Sequence, residues 1–205
     1  MALTTRPADE IKIIVIEYLI ERYPGIIIGN EVMYGTSRKV VDLLVLYQGE
    51  TYAIEIKSDK DNLRRLPEQL KEYSLIFDHT IVFTHSKYKK EVLSLVQQRV
   101  SVYEVLNGNI NKVKSFNSTN RTIKREMVYS VSSVFLRRFL PTAKKIDSDM
   151  IRMRIIRTYN KKEIHNIFYQ FLEEKMVNGF KLFLHERNER NSVDDLSLLS
   201  ARLNI

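Results

Sequence analysis

Two adjacent apolar segments flank a two-residue turn signal, and they constrain the fold more than any other part of the sequence. The segments VVDLLVLY at 40–47 and ETYAIEIK at 50–57 are rich in β-branched and aromatic residues, and Gln48-Gly49 separates them. This pattern predicts an antiparallel hairpin with a two-residue turn. Because both strands are apolar on both faces, we expect the sheet to be covered on both sides.

The segments around this hairpin alternate between helical and extended patterns. Helices are predicted over 7–23, from about 66 to 77, and over 87–99, and further strands over 26–28, 80–85 and 100–106. Strands separated by helices indicate an α/β core.

A polar, turn-rich segment divides the chain. Residues 107–120, NGNINKVKSFNSTN, are therefore predicted to be a linker. The pattern beyond them is mainly helical, over about 121–140, 147–158, 160–178 and after Ser192. We expect an α/β domain at 1–106, followed by a smaller basic helical domain at 121–205.

Positive charge is concentrated in one stretch. The chain has a net charge of +8, yet residues 121–162 alone hold 12 basic and 3 acidic residues. A concentrated positive field favours polyanions such as nucleic acid. A solvated helix face, or a surface for acidic proteins, would have the same composition. The candidate nucleic-acid contacts in this stretch are Arg125, Arg137, Arg138, Lys144 and Lys145.

Several classes of protein are excluded by what the sequence lacks. It has no cysteine, which rules out disulfides and thiolate sites, and no phosphate-binding GxxxxGK motif of an ATPase. The first residues are too polar for a signal peptide, and no apolar run approaches the length that spans a bilayer. We therefore expect a cytoplasmic protein.

The hairpin brings chemically active residues together if its turn is Gln48-Gly49. Asp42 then lies directly opposite Glu55, and Lys57 shares their face because it is two residues farther along the strand. A three-residue loop would instead place Asp42 opposite Ile56. The prediction of a paired site therefore depends on the turn.

Two carboxylates and a lysine between apolar strands are unfavourable without a compensating role. Mg²⁺ or Mn²⁺ supplies one, because such cations bind one or two carboxylates together with water and phosphate. The metal would polarise a phosphate and lower the pKa of an attacking water, and Lys57 would orient that water. The Ile56 carbonyl is a further candidate ligand. The alternative is a simple cross-strand ion pair without metal affinity, as in a toxin-like interaction protein.

The segment from Asp42 to Tyr73 resembles the PD-(D/E)xK nuclease superfamily, through Asp42 and then Glu55-Ile56-Lys57 at the end of the next strand. Gln69 and Tyr73 resemble the Q-x-x-x-Y pair of RecB-like nucleases. The stretch EIKSDKDNLRRLPEQLKEY is similar to an uncharacterised bacterial branch with an EIKSD…DxLxRLxxQ segment. The resemblance implies a restriction-endonuclease-like mixed sheet flanked by helices, followed by a smaller helical domain, with Asp61, Arg65 and Gln69 on the substrate side.

The superfamily also uses an acidic residue before the aspartate. Glu31 matches the closer branch by position, whereas Glu17 or Glu10 would match the helical placement of other members. One departure concerns the position two residues before Asp42, where a basic residue is expected and Val40 stands instead. Arg38 and Lys39 are the candidates for that phosphate contact.

These observations predict a metal-dependent nuclease that hydrolyses phosphodiester bonds, with DNA preferred to RNA as the substrate. The alternative is a catalytically weak nucleic-acid-binding or regulatory module that acts with a partner protein. Homodimerisation is compatible with either function, and no membrane partner is expected.

Overall fold

The predicted hairpin lies within a six-stranded sheet. The computed structural model describes residues 7–140, 146–187 and 192–200. The strands are β1 (Ile27–Tyr34), β2 (Lys39–Tyr47), β3 (Glu50–Lys57), β4 (His79–His85), β5 (Val100–Leu106) and β6 (Asn109–Lys114). They follow one another in sequence order across the sheet. Only the β3–β4 and β4–β5 pairs are parallel.

Helices cover both faces of this sheet and form most of the described C-terminal region. They are α1 (Pro7–Arg22), α2 (Leu66–Ile76), α3 (Lys89–Leu95), α4 (Lys124–Tyr129), α5 (Ser133–Leu136), α6 (Ser148–Thr158) and α7 (Lys161–Glu186). The predicted α/β class, a mixed sheet flanked by helices with a helical C-terminal region, is confirmed. None of the helices in the described ranges is both long enough and apolar enough to cross a membrane.

Two of the predicted elements differ from the structure. Strand β6 lies inside the segment predicted as a linker, where Asn107-Gly108 make the turn that returns the chain beside β5. The segment 121–140, predicted to be mainly helical, contains helices but does not form one continuous helix. That segment breaks after α4, and the Ser132 side chain caps α5 by accepting a hydrogen bond from the Phe135 N–H.

The two faces of the sheet have separate apolar cores. On one face, α1 and the Val193–Ser197 turn pack against residues such as Leu43, Ile54 and Phe83. On the other face, α2 and the helices α4–α7 share one continuous core with the sheet. The Phe77 and Phe168 rings, 6.0 Å apart, link the end of α2 to α7 within that core.

A partly buried ion pair also joins α7 to the sheet. The Asp78 Oδ2 atom accepts hydrogen bonds from the Thr51 N–H and hydroxyl, both at 2.9 Å, and lies 2.8 Å from His165 Nε2. This bond to Asp78 raises the pKa of His165 above its ordinary value of 6.5. Burial raises the pKa of Asp78, but the bonds from His165 and Thr51 outweigh it and lower that pKa below 3.8.

We expect the His165→Leu substitution to destabilise the fold in a pH-dependent way. The raised pKa of His165 contributes stability that is complete below pH 6.5 and is lost as the pH rises through the folded-state value. The lowered pKa of Asp78 contributes stability above pH 3.8 that is lost in acid. The loss should therefore be largest between these values, about 1–3 kcal/mol near pH 5.5, and smaller at pH 8.5.

Urea unfolding followed by circular dichroism at both pH values measures this loss. The matched control is His185→Leu, because the His185 side chain is 83% exposed and its ion pair is with the neighbouring, exposed Glu186. An equal loss for His165→Leu at the two pH values would show that the pair carries no charge-dependent stability.

Candidate functional site

The hairpin turn fixes which residues of β2 and β3 meet. Gln48 and Gly49 have φ angles of 51° and 81°, and positive values at both positions define the type I′ turn that suits a two-residue hairpin. Tyr47 pairs with Glu50, and the ladder continues to Leu43 and Ile54. The next residues in this register are Asp42 and Glu55, so the predicted two-residue turn and its register are confirmed.

The backbone hydrogen bonds between β2 and β3 end here because the Asp42 side chain, rather than a backbone group of β2, accepts the next hydrogen bond from β3. The Asp42 Oδ2 atom accepts a hydrogen bond of 2.8 Å from the Ile56 N–H. The bond anchors the Asp42 carboxylate against β3, beside the end of the strand that carries Glu55 and Lys57. The Asp42 carboxylate thus lies between the two strands, next to a polar cluster on β3 and α2.

Four of the predicted catalytic residues contact one another in that cluster. The Lys57 Nζ atom donates to Glu55 Oε1 at 2.7 Å and approaches Gln69 Oε1 at 3.4 Å. The Tyr73 hydroxyl donates to Glu55 Oε2. Glu55, Lys57 and Tyr73 are 2%, 7% and 0% exposed. Both oxygens of Glu55 therefore have partners in a nearly water-free environment.

The arrangement strongly perturbs two of these groups. Burial, followed by the nearby charge of Glu55, raises the pKa of Asp42 to about 7, although Lys12, the Ile56 N–H and Lys57 act in the opposite direction. Burial and the same Glu55 charge raise the pKa of Tyr73 well above 10. The Asp42 carboxyl therefore retains a proton part of the time close to neutral pH, whereas Tyr73 stays a hydrogen-bond donor.

A buried lysine that the sequence did not single out lies at the edge of the site. Lys12 on α1 is 4% exposed, and its Nζ atom donates to Asn30 Oδ1 at 3.0 Å. The same atom is 3.7 Å from both Asp9 Oδ1 and Glu31 Oε1. The spacing in the sequence could have indicated its burial, because Lys12 precedes Ile16 and Leu19 by four and seven residues and so lies on the buried face of the helix.

Glu31 on β1 adds a third acidic residue beside Asp42 on β2 and Glu55 on β3, and these three residues form the acidic row. Asn30 pairs with Leu43 and Val32 with Val41, so Glu31 lies opposite Asp42 in the register. The Glu31 φ angle of 53° reverses which face of the sheet the following side chains of β1 point to. Ile28 before it joins the core beneath α1, and Val32 after it joins the opposite core.

The two other candidates for the first acidic position lie on α1, where Glu10 is exposed and Glu17 is half-buried. Of the three, Glu31 is the residue that continues the row formed by Asp42 and Glu55 across the strands. The order of the carboxylates across the sheet is therefore Glu31, Asp42 and Glu55, with Lys12 at one end and Lys57 at the other.

The residues predicted to contact phosphate near the site differ in their exposure and in whether they already form ion pairs. Arg38, at the tip between β1 and β2, and Arg65, just before α2, are exposed. Lys39 is held by Glu68 at 2.7 Å and by Glu72 at 2.8 Å on α2. A phosphate contact by Lys39 would require breaking both ion pairs.

The basic residues predicted for the C-terminal region also have varied surroundings. The exposed Arg125 guanidinium lies 5.3 Å from the centre of the Tyr129 ring. Arg137 donates to the Ile146 carbonyl at 2.9 Å, and Arg138 binds both oxygens of Glu174 at 3.0 and 2.8 Å. Lys144 and Lys145 lie outside the described residues.

The carboxylates fit a divalent cation by their chemistry. Asp42 and Glu55 are hard oxygen donors, and the pKa of about 7 for Asp42 reflects its burial and then its repulsion by Glu55, both of which a bound cation would offset. Within the described ranges, however, no three histidine, aspartate or glutamate side chains are grouped as a ready-made metal site. Any remaining ligands would have to come from water, substrate, the Ile56 carbonyl or movement of Glu31.

Comparison with known proteins gives a family match along most of the chain. A family model described as bacteriophage P4 protein cII matches residues 1–200. Protein cII of Enterobacteria phage P4 is 33% identical over 103 residues, which are 49% of this chain. The match spans 39% of the phage protein, so less than half of its length is represented.

Two solved structures have weaker similarity. The SPO1766 protein of unknown function from Silicibacter pomeroyi is 16% identical, with 76% of this chain and 94% of that chain covered and a TM-score of 0.48. Pyrococcus furiosus SfsA in complex with Ca²⁺ is also 16% identical, with 55% and 61% covered and a TM-score of 0.30. Similarity at these values does not bear on function.

Proposed function

The chain belongs to the bacteriophage P4 protein cII family, and from its cluster of Asp42, Glu55 and Lys57 we propose that it is a metal-dependent nuclease of the PD-(D/E)xK type. The observation that carries the proposal is the meeting of Asp42, Glu55 and Lys57 at the end of the hairpin, with Gln69 and Tyr73 behind them. The proposed reaction is phosphodiester hydrolysis in DNA, and RNA is the alternative substrate.

Asp42 and Glu55 would hold Mg²⁺ or Mn²⁺, with Glu31 and the Ile56 carbonyl as further candidate ligands. When bound, such a metal supplies Lewis acidity and a water of lowered pKa. Before a metal can bind, the carboxylate oxygens of Asp42 and Glu55 must be released from their present partners. Asp42 must lose the proton that its raised pKa retains, and Lys57 must turn from the Glu55 oxygen that it binds at 2.7 Å.

The surrounding residues have separate tasks in this proposal. Lys57 Nζ, released from Glu55, would hold the attacking water or the developing negative charge. The Gln69 side-chain oxygen lies 3.4 Å from Lys57 Nζ and would limit how far it moves. Tyr73, whose raised pKa keeps its hydroxyl protonated, would fix the orientation of Glu55.

A second function is a nucleic-acid-binding or regulatory module that acts with a partner protein and has little or no catalysis. The observation that favours it is that protein groups already satisfy the carboxylates. Glu55 has Lys57 and Tyr73, Asp42 has the Ile56 N–H, and Lys12 approaches Glu31. The family match names no nuclease, and it therefore fits this second function better than the first.

Cleavage assays on the purified chain test the two functions. Linear duplex, circular duplex and single-stranded DNA, and single-stranded RNA, would each be incubated with Mg²⁺, Mn²⁺ or EDTA. We expect metal-dependent cleavage that Glu55→Gln reduces by about 10²–10³-fold, because the substitution removes a negative ligand from the site. Glu91→Gln, an exposed change on α3, is the matched control.

Each result of these assays distinguishes the functions. Absence of cleavage by the wild-type chain, with retained binding to DNA, would favour the second function. Cleavage that survives Glu55→Gln would place the catalytic site elsewhere. Cutting of the circular duplex would identify an endonuclease.

A further inference from the structure

A cavity on the sheet face opposite Glu55 has no role in the proposed hydrolysis. It has a volume of about 310 Å³ and lies over β3, β4 and β5, between α1 and residues 115–117. Its floor includes Tyr52 and Ile54, whereas Glu55 points to the core on the other face. The cavity and the acidic row thus share β3 but open on opposite sides of the sheet.

The lining of this cavity is rich in aromatic rings. Tyr18 on α1, Tyr23 just after that helix, and Phe116 in the segment after β6 all line the cavity. On the floor, Tyr52 is stacked on His79, with ring centres 4.4 Å apart and planes at 13°. Parallel ring faces of this kind bind planar aromatic ligands by stacking, whichever base the ligand carries.

Two cations lie on the rim of the same cavity. Arg99 donates to the Thr119 carbonyl at 3.1 Å, and its guanidinium lies 5.8 Å from the Phe116 ring centre. The Lys112 Nζ atom lies 6.0 Å from the Tyr103 ring centre. Both are exposed, and within the described ranges neither forms an ion pair with a carboxylate. An anion at the rim would neutralise them.

One acceptor completes the polar lining. Glu50 Oε2 accepts from the Tyr52 hydroxyl at 3.0 Å and lies 3.0 Å from His79 Nε2. The described residues place no donor within hydrogen-bond distance of the other oxygen, Oε1. Glu50 therefore offers an acceptor to an amino group on a planar ligand, at the end of the β2–β3 turn.

We propose that this cavity binds a nucleotide, with the base stacked among the tyrosines and the phosphate facing Arg99 and Lys112. The exocyclic amino group of the base would donate to Glu50 Oε1. The volume of about 310 Å³ lies at the lower end of the range for small-molecule sites, which suits a mononucleotide. An apolar peptide would instead cover two cations without pairing them, which is unfavourable.

The nucleotide has two possible sources, a free mononucleotide or one unit of a single strand. Calorimetric titrations in EDTA with adenosine monophosphate, with adenosine and with a short oligodeoxyadenylate separate them without any hydrolysis. We expect the monophosphate to bind at least about tenfold more tightly than adenosine. A free nucleotide is the source if the oligonucleotide binds no better than the monophosphate, and a strand is the source if it binds more tightly.

The variant Arg99→Gln/Lys112→Gln tests the location. It changes two exposed side chains, so we expect the fold to be retained and binding of the preferred ligand to fall by about tenfold or more. Lys71→Gln/Lys90→Gln removes the same charge from α2 and α3 and should leave binding unchanged. Absence of binding by the wild-type chain, or equal binding by both double variants, would overturn the proposal.

Discussion

Lys57→Met is expected to abolish most metal-dependent cleavage while leaving metal binding in place. The substitution keeps a long side chain of similar length but removes the ammonium group that donates to Glu55 at 2.7 Å. If Lys57 stabilises the attacking water or the developing charge, its loss should reduce the cleavage rate by about 10²–10³-fold. Single-turnover cleavage at saturating Mg²⁺ measures this effect separately from substrate binding.

The same substitution should also change stability in a way that depends on the metal. Without a metal, Lys57→Met leaves Glu55, which is 2% exposed, without its cation, and breaking a buried pair in this way costs about 3–5 kcal/mol. Mg²⁺ bound by Asp42 and Glu55 should restore part of that loss, because a ligand that binds only the folded state raises its stability. Urea unfolding with Mg²⁺ or with EDTA measures both values.

Lys60→Met is the matched control for both measurements. It is the same chemical change three residues farther along the chain, on a side chain that is 74% exposed. We expect it to alter neither the cleavage rate nor the stability appreciably. A rate for Lys57→Met within a few-fold of the wild-type rate would remove Lys57 from the reaction, and a stability loss insensitive to Mg²⁺ would argue against a metal at Asp42 and Glu55.

The centre of the candidate site could be predicted because it depends on local rules. The Gln48-Gly49 turn determines the register of β2 and β3, and the register determines that Asp42 and Glu55 are neighbours. Gln69 and Tyr73 are four residues apart on α2, so one helix face presents both to Lys57 and Glu55. These inferences needed no knowledge of how distant segments pack.

The contributions of distant segments could not be predicted in the same way. Lys12 reaches the site from α1, and Lys39 meets Glu68 and Glu72 only because α2 packs beside the start of β2. The face reversal at Glu31 depends on a positive φ angle that its residue type does not favour. In each case the partner lies many residues away, and tertiary packing determines the contact.

Strand β6 is a different kind of error, because a local signal for it was present. Asn107-Gly108 is the dipeptide most typical of a two-residue hairpin turn, and both residues have positive φ angles. The strand that follows, NINKVK, is largely exposed and polar, as is common at the edge of a sheet. Polarity favoured the linker interpretation, whereas the turn chemistry determined the structure.

The two lysines connect the site's electrostatics with both proposed functions. In the metal-free chain, Lys57 and Lys12 lie beside the row formed by Glu31, Asp42 and Glu55 and reduce its net charge. A nuclease would need a cation to displace these contacts, and its metal affinity would be correspondingly lower. A binding module would keep them, since they stabilise the carboxylates without any metal. The metal dependence of stability therefore distinguishes the two functions even without cleavage.

Phe168→Ala is expected to destabilise the whole chain. Phe168 on α7 is 1% exposed, and its ring lies 6.0 Å from that of Phe77 in the core shared by α2, the sheet and the C-terminal helices. Truncating a buried phenylalanine to alanine costs about 3–5 kcal/mol. Because one core contains both regions, we expect a single unfolding transition, although the sequence predicts separate domains at 1–106 and 121–205.

Hydrogen exchange followed by mass spectrometry, together with urea unfolding, measures this coupling. Faster exchange in β3 and β4 as well as in α4–α7 would mean that the sheet depends on the C-terminal helices for its stability. Leu182→Ala on the same helix is the control, because Leu182 is 47% exposed and its truncation should change stability by less than about 0.5 kcal/mol. Exchange that increases in α4–α7 alone would instead support two independently stable domains. In that case Asp42, Glu55 and Lys57 would remain in place when the basic region opens, and the sheet could be studied as a separate catalytic or metal-binding unit.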